Sequence, residues 1–234
     1  MNIDIPHKAL VVGAHPDDAE FGCAGTVAKW TRAGCEIHYL MLTSGDKGSE
    51  DLEADLVELR QIREQEQLEA AKLLGVAGCT FLHLSDGEVV NNLELRGLIV
   101  REIRRFKPEV IFTWDPLTRL YRMHPDHRAC GQATLDAAFP AAMMPHSYPE
   151  HLRKEGLSVH RTKRLLLFGT DDPDYVSDIS QTLELKFEAM GKHPSQFSID
   201  NPAFIERMTK RAQNAAKEQP FEFGEGFKLV QLET

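Results

Sequence analysis

Two short stretches of this chain gather the side chains that metal and proton chemistry require. The first is Gly13-Ala14-His15-Pro16-Asp17-Asp18 and the second is His124-Pro125-Asp126-His127-Arg128. A neutral imidazole and a carboxylate three residues apart, across a turn into a helix, can point at one ion. Pro16 fixes its own φ and lacks an N–H, which stiffens that turn. Asp17 and Asp18 sit side by side on a bend and so point in different directions, which lets one ligate while the other handles a proton. A carboxylate at this position can also do no more than cap the following helix. In the second stretch His124 and His127 crowd one surface at the entry to a helix. His15, Asp18 and one of the later histidines make a two-histidine, one-carboxylate set. That is the donor set of a catalytic zinc with an open position, and equally of a non-haem Fe(II) centre. The spare groups favour hydrolysis: a second carboxylate can take a proton from water, and a second imidazole can stabilise an oxyanion.

These residues need a scaffold that brings them together. Apolar runs at residues 8–12, 36–42, 79–82, 110–113 and 165–168 read as buried strands. Between and after them, helical spacing covers residues 19–33, 55–74, 93–106, 124–138 and 179–190. In the long helix at 55–74, Leu56, Leu59, Ile62 and Leu68 recur at helical intervals, and the helix at 93–106 stops before Pro108, as it should. The alternation predicts an α/β, Rossmann-like fold, a mostly parallel sheet with helices on both faces. Ligands of such sheets bind beyond the carboxyl ends of the strands. Both His/Asp clusters follow a strand end, so both are expected at one sheet edge. The first loop lacks the G-x-G-x-x-G glycines, which removes the main support for a dinucleotide site. Residues 1–234 are expected to form a single domain, with an irregular segment near 139–163 that is long for a bare connection.

Composition narrows the functional classes. Asp and Glu number 36 against 27 Lys and Arg, a net charge of −9, which argues against the broad basic face of a nucleic-acid binder. No run approaches the ~18 apolar residues of a membrane span. Residues 1–7 carry no basic stretch followed by an apolar one, so no secretory signal is expected and the cytoplasm is the expected location. Cys23, Cys35, Cys79 and Cys130 are widely spaced and form no C-x-x-C pair, against both a zinc ribbon and a disulfide framework. Cys23, close to the first cluster, reads as a small packing residue.

At these residues the chain resembles the PIG-L/LmbE-like zinc-dependent N-deacetylases. Ala14 to Glu20, AHPDDAE, is similar to that family's AHPDD signature, and His124-Pro125-Asp126-His127 to its HPDH motif. Arg63-Glu64-Gln65-Glu66 leading to Ala70-Ala71 and Leu74-Gly75-Val76, the Asp86-Gly87-Glu88 loop, and Lys186 to Gln196 with Ala189, His193 and Ser195 extend the likeness over about residues 8–197. The resemblance implies metal ligands His15, Asp18 and His127, with Zn2+ the expected ion and Fe2+ an alternative. It implies Asp17 as the general base and then the acid toward the leaving amine, His124 as oxyanion stabiliser, and Asp126 as the group that orients or tunes His124. Arg63 and His193 are implied on the substrate side. Two neutral imidazoles and one carboxylate leave a zinc site at net +1, where a coordinated water reaches a pKa near ~7.

The sequence departs from the family in two places. Ala24-Gly25 stands where many relatives have Gly-Gly, and position 122 is Arg122 where some carry a tyrosine, the tyrosine here being Tyr121. Arg122 is expected to meet an anionic substrate group. The activity implied is removal of the N-acetyl group from an N-acetylglucosamine-type conjugate, a small-molecule substrate, by a homo-oligomer (trimer or hexamer). A metal-binding protein without catalysis and a hydrolase of non-sugar amides are the alternatives.

Overall fold

The computed structural model describes residues 3–118 and 122–232. The apolar runs become strands whose side chains divide cleanly between two cores. In β1 (Lys8–Gly13), Ala9 and Val11 face one core with Trp30, Phe112 and Phe168, while Leu10 and Val12 face the other with Ile99, Ile103 and Leu165. This period of two, apolar on both faces, is what a sheet covered by helices on both sides requires. β2 (Glu36–Thr43), β3 (Gly78–Leu84), β4 (Val110–Trp114) and β5 (Arg164–Phe168) run parallel to β1 in the order β3-β2-β1-β4-β5. The intervening helices are α1 (Asp18–Arg32), α2 (Leu56–Leu73), α3 (Leu93–Phe106) and α4 (Pro125–Ala138).

The mostly parallel α/β architecture read from the sequence is therefore found, with an antiparallel extension that was not anticipated. β6 (Tyr175–Asp178) and β7 (Gly224–Gln231) complete a seven-stranded sheet, β7 lying antiparallel between β5 and β6. The helix expected at 179–190 begins only at Leu183, and the residues before Ile179 are strand. A helix missed by sequence reading, α7 (Pro202–Ala215), starts where the Asn201 side chain accepts the Ala203 N–H and Pro202 occupies the first turn. The remaining helices are α5 (Pro149–Arg153) and α6 (Leu183–Met190).

In helix α2 the apolar residues that recur at helical intervals lie outward: Leu56, Ile62 and Leu68 are exposed, and the buried face is Arg63, Glu66, Gln67, Ala70 and Ala71. On that buried face Arg63 and Gln67 bond the loop after β1. The four cysteines are free, and Cys23 is fully buried with burial pushing its thiol well up, in keeping with a packing role. No helix among the described residues is long and apolar enough to cross a membrane.

The segment near 139–163 is organised rather than irregular throughout. A 3₁₀ turn at Ala141–Met143 and α5 wrap around Arg104, whose guanidinium is fully buried. It donates to the carbonyls of Ala141, Ala142, Met144, Ser147 and Tyr148 at 2.8–3.2 Å. Planar, multidentate donation of this kind suits Arg and not Lys. Replacing Arg104 with Met leaves five carbonyls short of a donor. We expect a loss of about 3 kcal/mol in urea denaturation, with Arg104→Lys retaining only part of it; unchanged stability in both would remove Arg104 from this role.

Candidate metal centre and active site

The strand order reverses between β1 and β4, which makes the crevice beyond their carboxyl ends the topological switch point where ligands of such sheets bind. The loop after β1 carries His15, Asp17 and Asp18, and the loop after β4 leads through Trp114 to His124, Asp126 and His127. A Cβ on Gly13 would lie 2.9 Å from Met41 Sδ and 3.1 Å from Asp18 Cβ, so only glycine lets Asp18 fold back against the strand end.

Asp18 Oδ2 accepts the Ala14 N–H at 2.7 Å, the His15 N–H at 3.0 Å and the Trp114 indole N–H at 2.8 Å. Burial alone would raise its pKa, but His127, His15 and the Trp114 donor outweigh it and hold the carboxyl well below the usual range. Its other oxygen, Oδ1, lies 3.1 Å from His127 Nε2. The Trp114 ring stacks on His127 with centroids 3.9 Å apart and planes within 8°. Trp114 thus fixes a carboxylate with its N–H and an imidazole with its face.

Asp17 behaves differently. It occupies the N-cap position of α1, yet its side chain caps nothing, so the capping interpretation fails. Its φ of 91° is in the left-handed region, a conformation that costs about 1–3 kcal/mol for a residue with a Cβ. Burial drives its pKa up to about 7 against the pull of Arg63, whose Nη2 is 3.2 Å from Asp17 Oδ2. Neighbouring carboxylates therefore titrate in opposite directions, the pattern that separates a ligand from a base.

His15 is oriented by two carboxylates. Its Nε2 lies 3.0 Å from Asp86 Oδ1 and 3.2 Å from Asp126 Oδ2. Burial opposes protonation of His15, but Asp126 and Asp86 overcome it and raise the pKa to about 10. With Nε2 directed at carboxylates, Nδ1 faces the other way, 3.1 Å from His127 Nε2, and it is the atom that carries the lone pair once the ring is neutral. His124 is the N-cap of α4, and its Nδ1 accepts the Asp126 N–H at 3.2 Å. The neutral ring must then carry its hydrogen on Nε2, and burial together with His15 and His127 lowers its pKa, favouring that neutral form.

Among the described residues, two groups of donor atoms lie within 4.8 Å of one another: His15, His124 and His127, and His15, Asp86 and Asp126. In the second, Asp126 is fully buried and its oxygens already accept the Gly87 N–H at 2.7 Å and the Val89 N–H at 3.1 Å. Asp86 Oδ2 accepts the Lys47 N–H at 2.9 Å. That group has the character of an outer shell orienting His15, the carboxylate–histidine arrangement common behind metal ligands. His127 Nε2, of the first group, sits 3.1 Å from His15 Nδ1, and Asp18 Oδ1, which belongs to neither group, lies 3.1 Å from the same His127 atom. Donors around a tetrahedral ion at ~2.0–2.1 Å are about 3.3 Å apart, close to each of these two separations. All three residues, with Asp17 and His124, line a cavity of about 470 Å³ that also meets Phe21, Lys47 and Gln196, within the ~300–1,000 Å³ of small-molecule sites.

The structure brings together His15, Asp17, Asp18, Arg63, His124, Asp126 and His127. Asp126 meets His124 through its backbone N–H and its charge favours protonation of that ring, while its carboxylate bonds His15, a partner that was not expected. Arg63, expected on the substrate side, lines the cavity but donates to Gly45 O at 2.7 Å, Pro16 O at 2.8 Å and Asp17. His193 is not brought to the cavity; it is fully buried, its Nε2 3.3 Å from Glu20 Oε2. Arg122 is exposed on the approach to α4 and is not among the described residues lining the cavity. Tyr121 lies outside the described residues. Asp86, Trp114 and Gln67 were missed as functional residues. Only Asp86 had a sequence signal, the Asp86-Gly87-Glu88 loop.

A family model described as PIG-L: GlcNAc-PI de-N-acetylase matches residues 10–138. Diacetylchitobiose deacetylase of Thermococcus kodakarensis is 35% identical over 196 residues, covering 82% of this chain and 71% of the relative. A probable N-acetyl-alpha-D-glucosaminyl L-malate deacetylase 2 of Bacillus subtilis is 27% identical, covering 80% of this chain and 82% of the relative. The structure of N,N'-diacetylchitobiose deacetylase from Pyrococcus horikoshii superposes with a TM-score of 0.90 at 30% identity, over 97% of this chain and 84% of that one. GalB, the 4-carboxy-2-hydroxymuconate hydratase of Pseudomonas putida, shares the fold at a TM-score of 0.80 and 20% identity, over 97% of each chain. At that identity the likeness concerns the scaffold alone, so the site and not the fold must carry any functional argument.

Trp114→Phe keeps a ring face on His127 and deletes the N–H to Asp18. Zinc titrated into chelator-stripped protein should bind about 10-fold more weakly in this variant, as for other outer-shell losses. Equal affinity would show that the indole N–H does not support the site.

Proposed function

This chain belongs to the PIG-L family of GlcNAc-PI de-N-acetylases, and from that premise we propose that it is a zinc-dependent N-deacetylase acting on an N-acetylglucosamine-type sugar conjugate. The observation that carries the reading is the meeting, in one cavity at the β1/β4 switch point, of His15, Asp18 and His127 with a second carboxylate, Asp17, and a second imidazole, His124. The names of the relatives, deacetylases of diacetylchitobiose and of an N-acetylglucosaminyl malate, support an amino-sugar substrate.

His15 Nδ1, Asp18 Oδ1 and His127 Nε2 are the atoms that would hold Zn2+, or Fe2+ in its place. When bound, the ion supplies Lewis acidity, polarising the acetamide carbonyl and making water more acidic. The protein's own residues do the rest. Asp17 takes a proton from the attacking water and delivers it to the departing amine; a carboxyl poised at about 7 suits both directions near neutral pH. His124 donates from Nε2–H to the oxyanion of the tetrahedral intermediate, its tautomer fixed by the Asp126 N–H at Nδ1. Asp86 and Asp126 hold the His15 ring so that Nδ1 faces inward. Phe21, Lys47 and Gln196 remain at the cavity for the sugar and its substituent. A metal store without catalysis would have no use for Asp17, which lines the cavity without capping α1 and is held in a costly backbone conformation.

The test is release of free amine from N,N'-diacetylchitobiose and other N-acetylglucosaminyl conjugates. Chelation should abolish activity and zinc should restore it; stoichiometric zinc with no hydrolysis across the panel would refute the reading. Asp17→Asn should lower kcat about 10³-fold. The active form of Asp17 is the carboxylate, so kcat/KM should rise through about pH 7 and fall tenfold per unit below it. A profile flat from pH 5 to 8 would contradict a neutral pKa for Asp17 in the loaded enzyme.

A further inference from the structure

The Pro16–Asp17 peptide unit is held at both ends by α2. Its carbonyl accepts from Arg63 Nη2 at 2.8 Å, and its N–H donates to Gln67 Oε1 at 2.9 Å. Arg63 and Gln67 are four residues apart and so project from one face of the helix. Both are buried, Gln67 completely. The Gln67 amide is itself anchored, since Nε2 donates to the two oxygens of fully buried Glu20 at 3.1 and 3.2 Å. Gln67 therefore ties the catalytic loop to the first turn of α1 through one side chain.

This peptide decides where Asp17 points. At φ 91°, Asp17 occupies a region that residues with a Cβ rarely adopt, and return to ordinary negative φ requires the preceding peptide plane to rotate. Rotation would break both bonds to α2 together. The Asp17 side chain makes no capping bond that would hold it in place instead. Arg63 and Gln67 both lie on the buried face of α2, with Leu56, Ile62 and Leu68 exposed.

We propose that Gln67 is a positioning residue: it locks the Pro16–Asp17 peptide so that the Asp17 carboxylate stays aimed into the cavity. The proposal rests on the deacetylase reading and assigns that site a support it did not have; Gln67 acts through Asp17 and does not line the cavity.

Gln67→Met and Gln67→Asn remove or shorten the grip on the Asp17 N–H. With kinetics taken on folded, zinc-loaded protein below each variant's unfolding transition, both should lose about 10- to 100-fold in kcat with KM within about 2-fold. The decisive comparison adds each substitution to Asp17→Asn. A residue that works through Asp17 has nothing left to position there, so the further loss should be under about 2-fold. Full-sized losses persisting in the Asp17→Asn background would mean that Gln67 is merely structural, and parent-like kcat in both single variants would equally overturn the proposal. A parent enzyme with no deacetylase activity would instead overturn the functional reading on which it rests.

Discussion

Negative charge packed at the ends of β1 and β4 is the constraint on which the rest of the site depends. Asp17, Asp18, Asp86 and Asp126 crowd around His15 and His127, and each carboxylate is accommodated by a different environment. Asp18 has three N–H donors and His127. Asp126 has the Gly87 and Val89 N–H groups and His15, and Asp86 has the Lys47 N–H and the same His15. Asp17 has only Arg63 on its carboxylate among the described residues, and it is the one whose proton affinity rises to neutrality. A donor-rich shell keeps a carboxylate ionised and a donor-poor buried one raises its proton affinity, so adjacent residues of one turn titrate in opposite directions. The same negative field that would protonate His15 is what would retain a dication.

The fold supplies this arrangement economically. Loops after β1, β2, β3 and β4 all emerge at one sheet edge, contributing His15 to Asp18, Gly45 and Lys47, Asp86 and Gly87, and Trp114 to His127 in turn. Strands β1 and β4 are neighbours in the sheet although far apart in the chain, which places His15 and His127 within 3.1 Å across 112 residues. The hydratase with the same scaffold illustrates that the fold is not tied to one chemistry.

Much of this was legible in the sequence because His15, Asp18, His124 and His127 belong to compact clusters that follow strand ends. What was not legible has a common cause. Trp114 and Gln67 are single residues whose importance comes from contacts 96 and 50 positions away, which no local spacing encodes. Asp86 had a motif but no partner visible in one dimension. In α2 the leucine spacing marked the helix, but helical periodicity does not say which face is buried, so the inward Arg63 and Gln67 could not be read from it. β6 and β7 escaped because β6 is four residues long and β7 opens on Gly224 and Gly226, which read as a loop. His193 sat in a motif and still proved to be a buried partner of Glu20.

The central claim is that the ion belongs among His15 Nδ1, Asp18 Oδ1 and His127 Nε2, with Asp86 and Asp126 behind His15. An anomalous-difference map at the zinc edge, from crystals of the zinc-loaded protein, tests it directly. A single peak bonded to those three atoms is the expected result. A peak between His15 Nε2, Asp86 and Asp126, or no peak at saturating zinc, would contradict it.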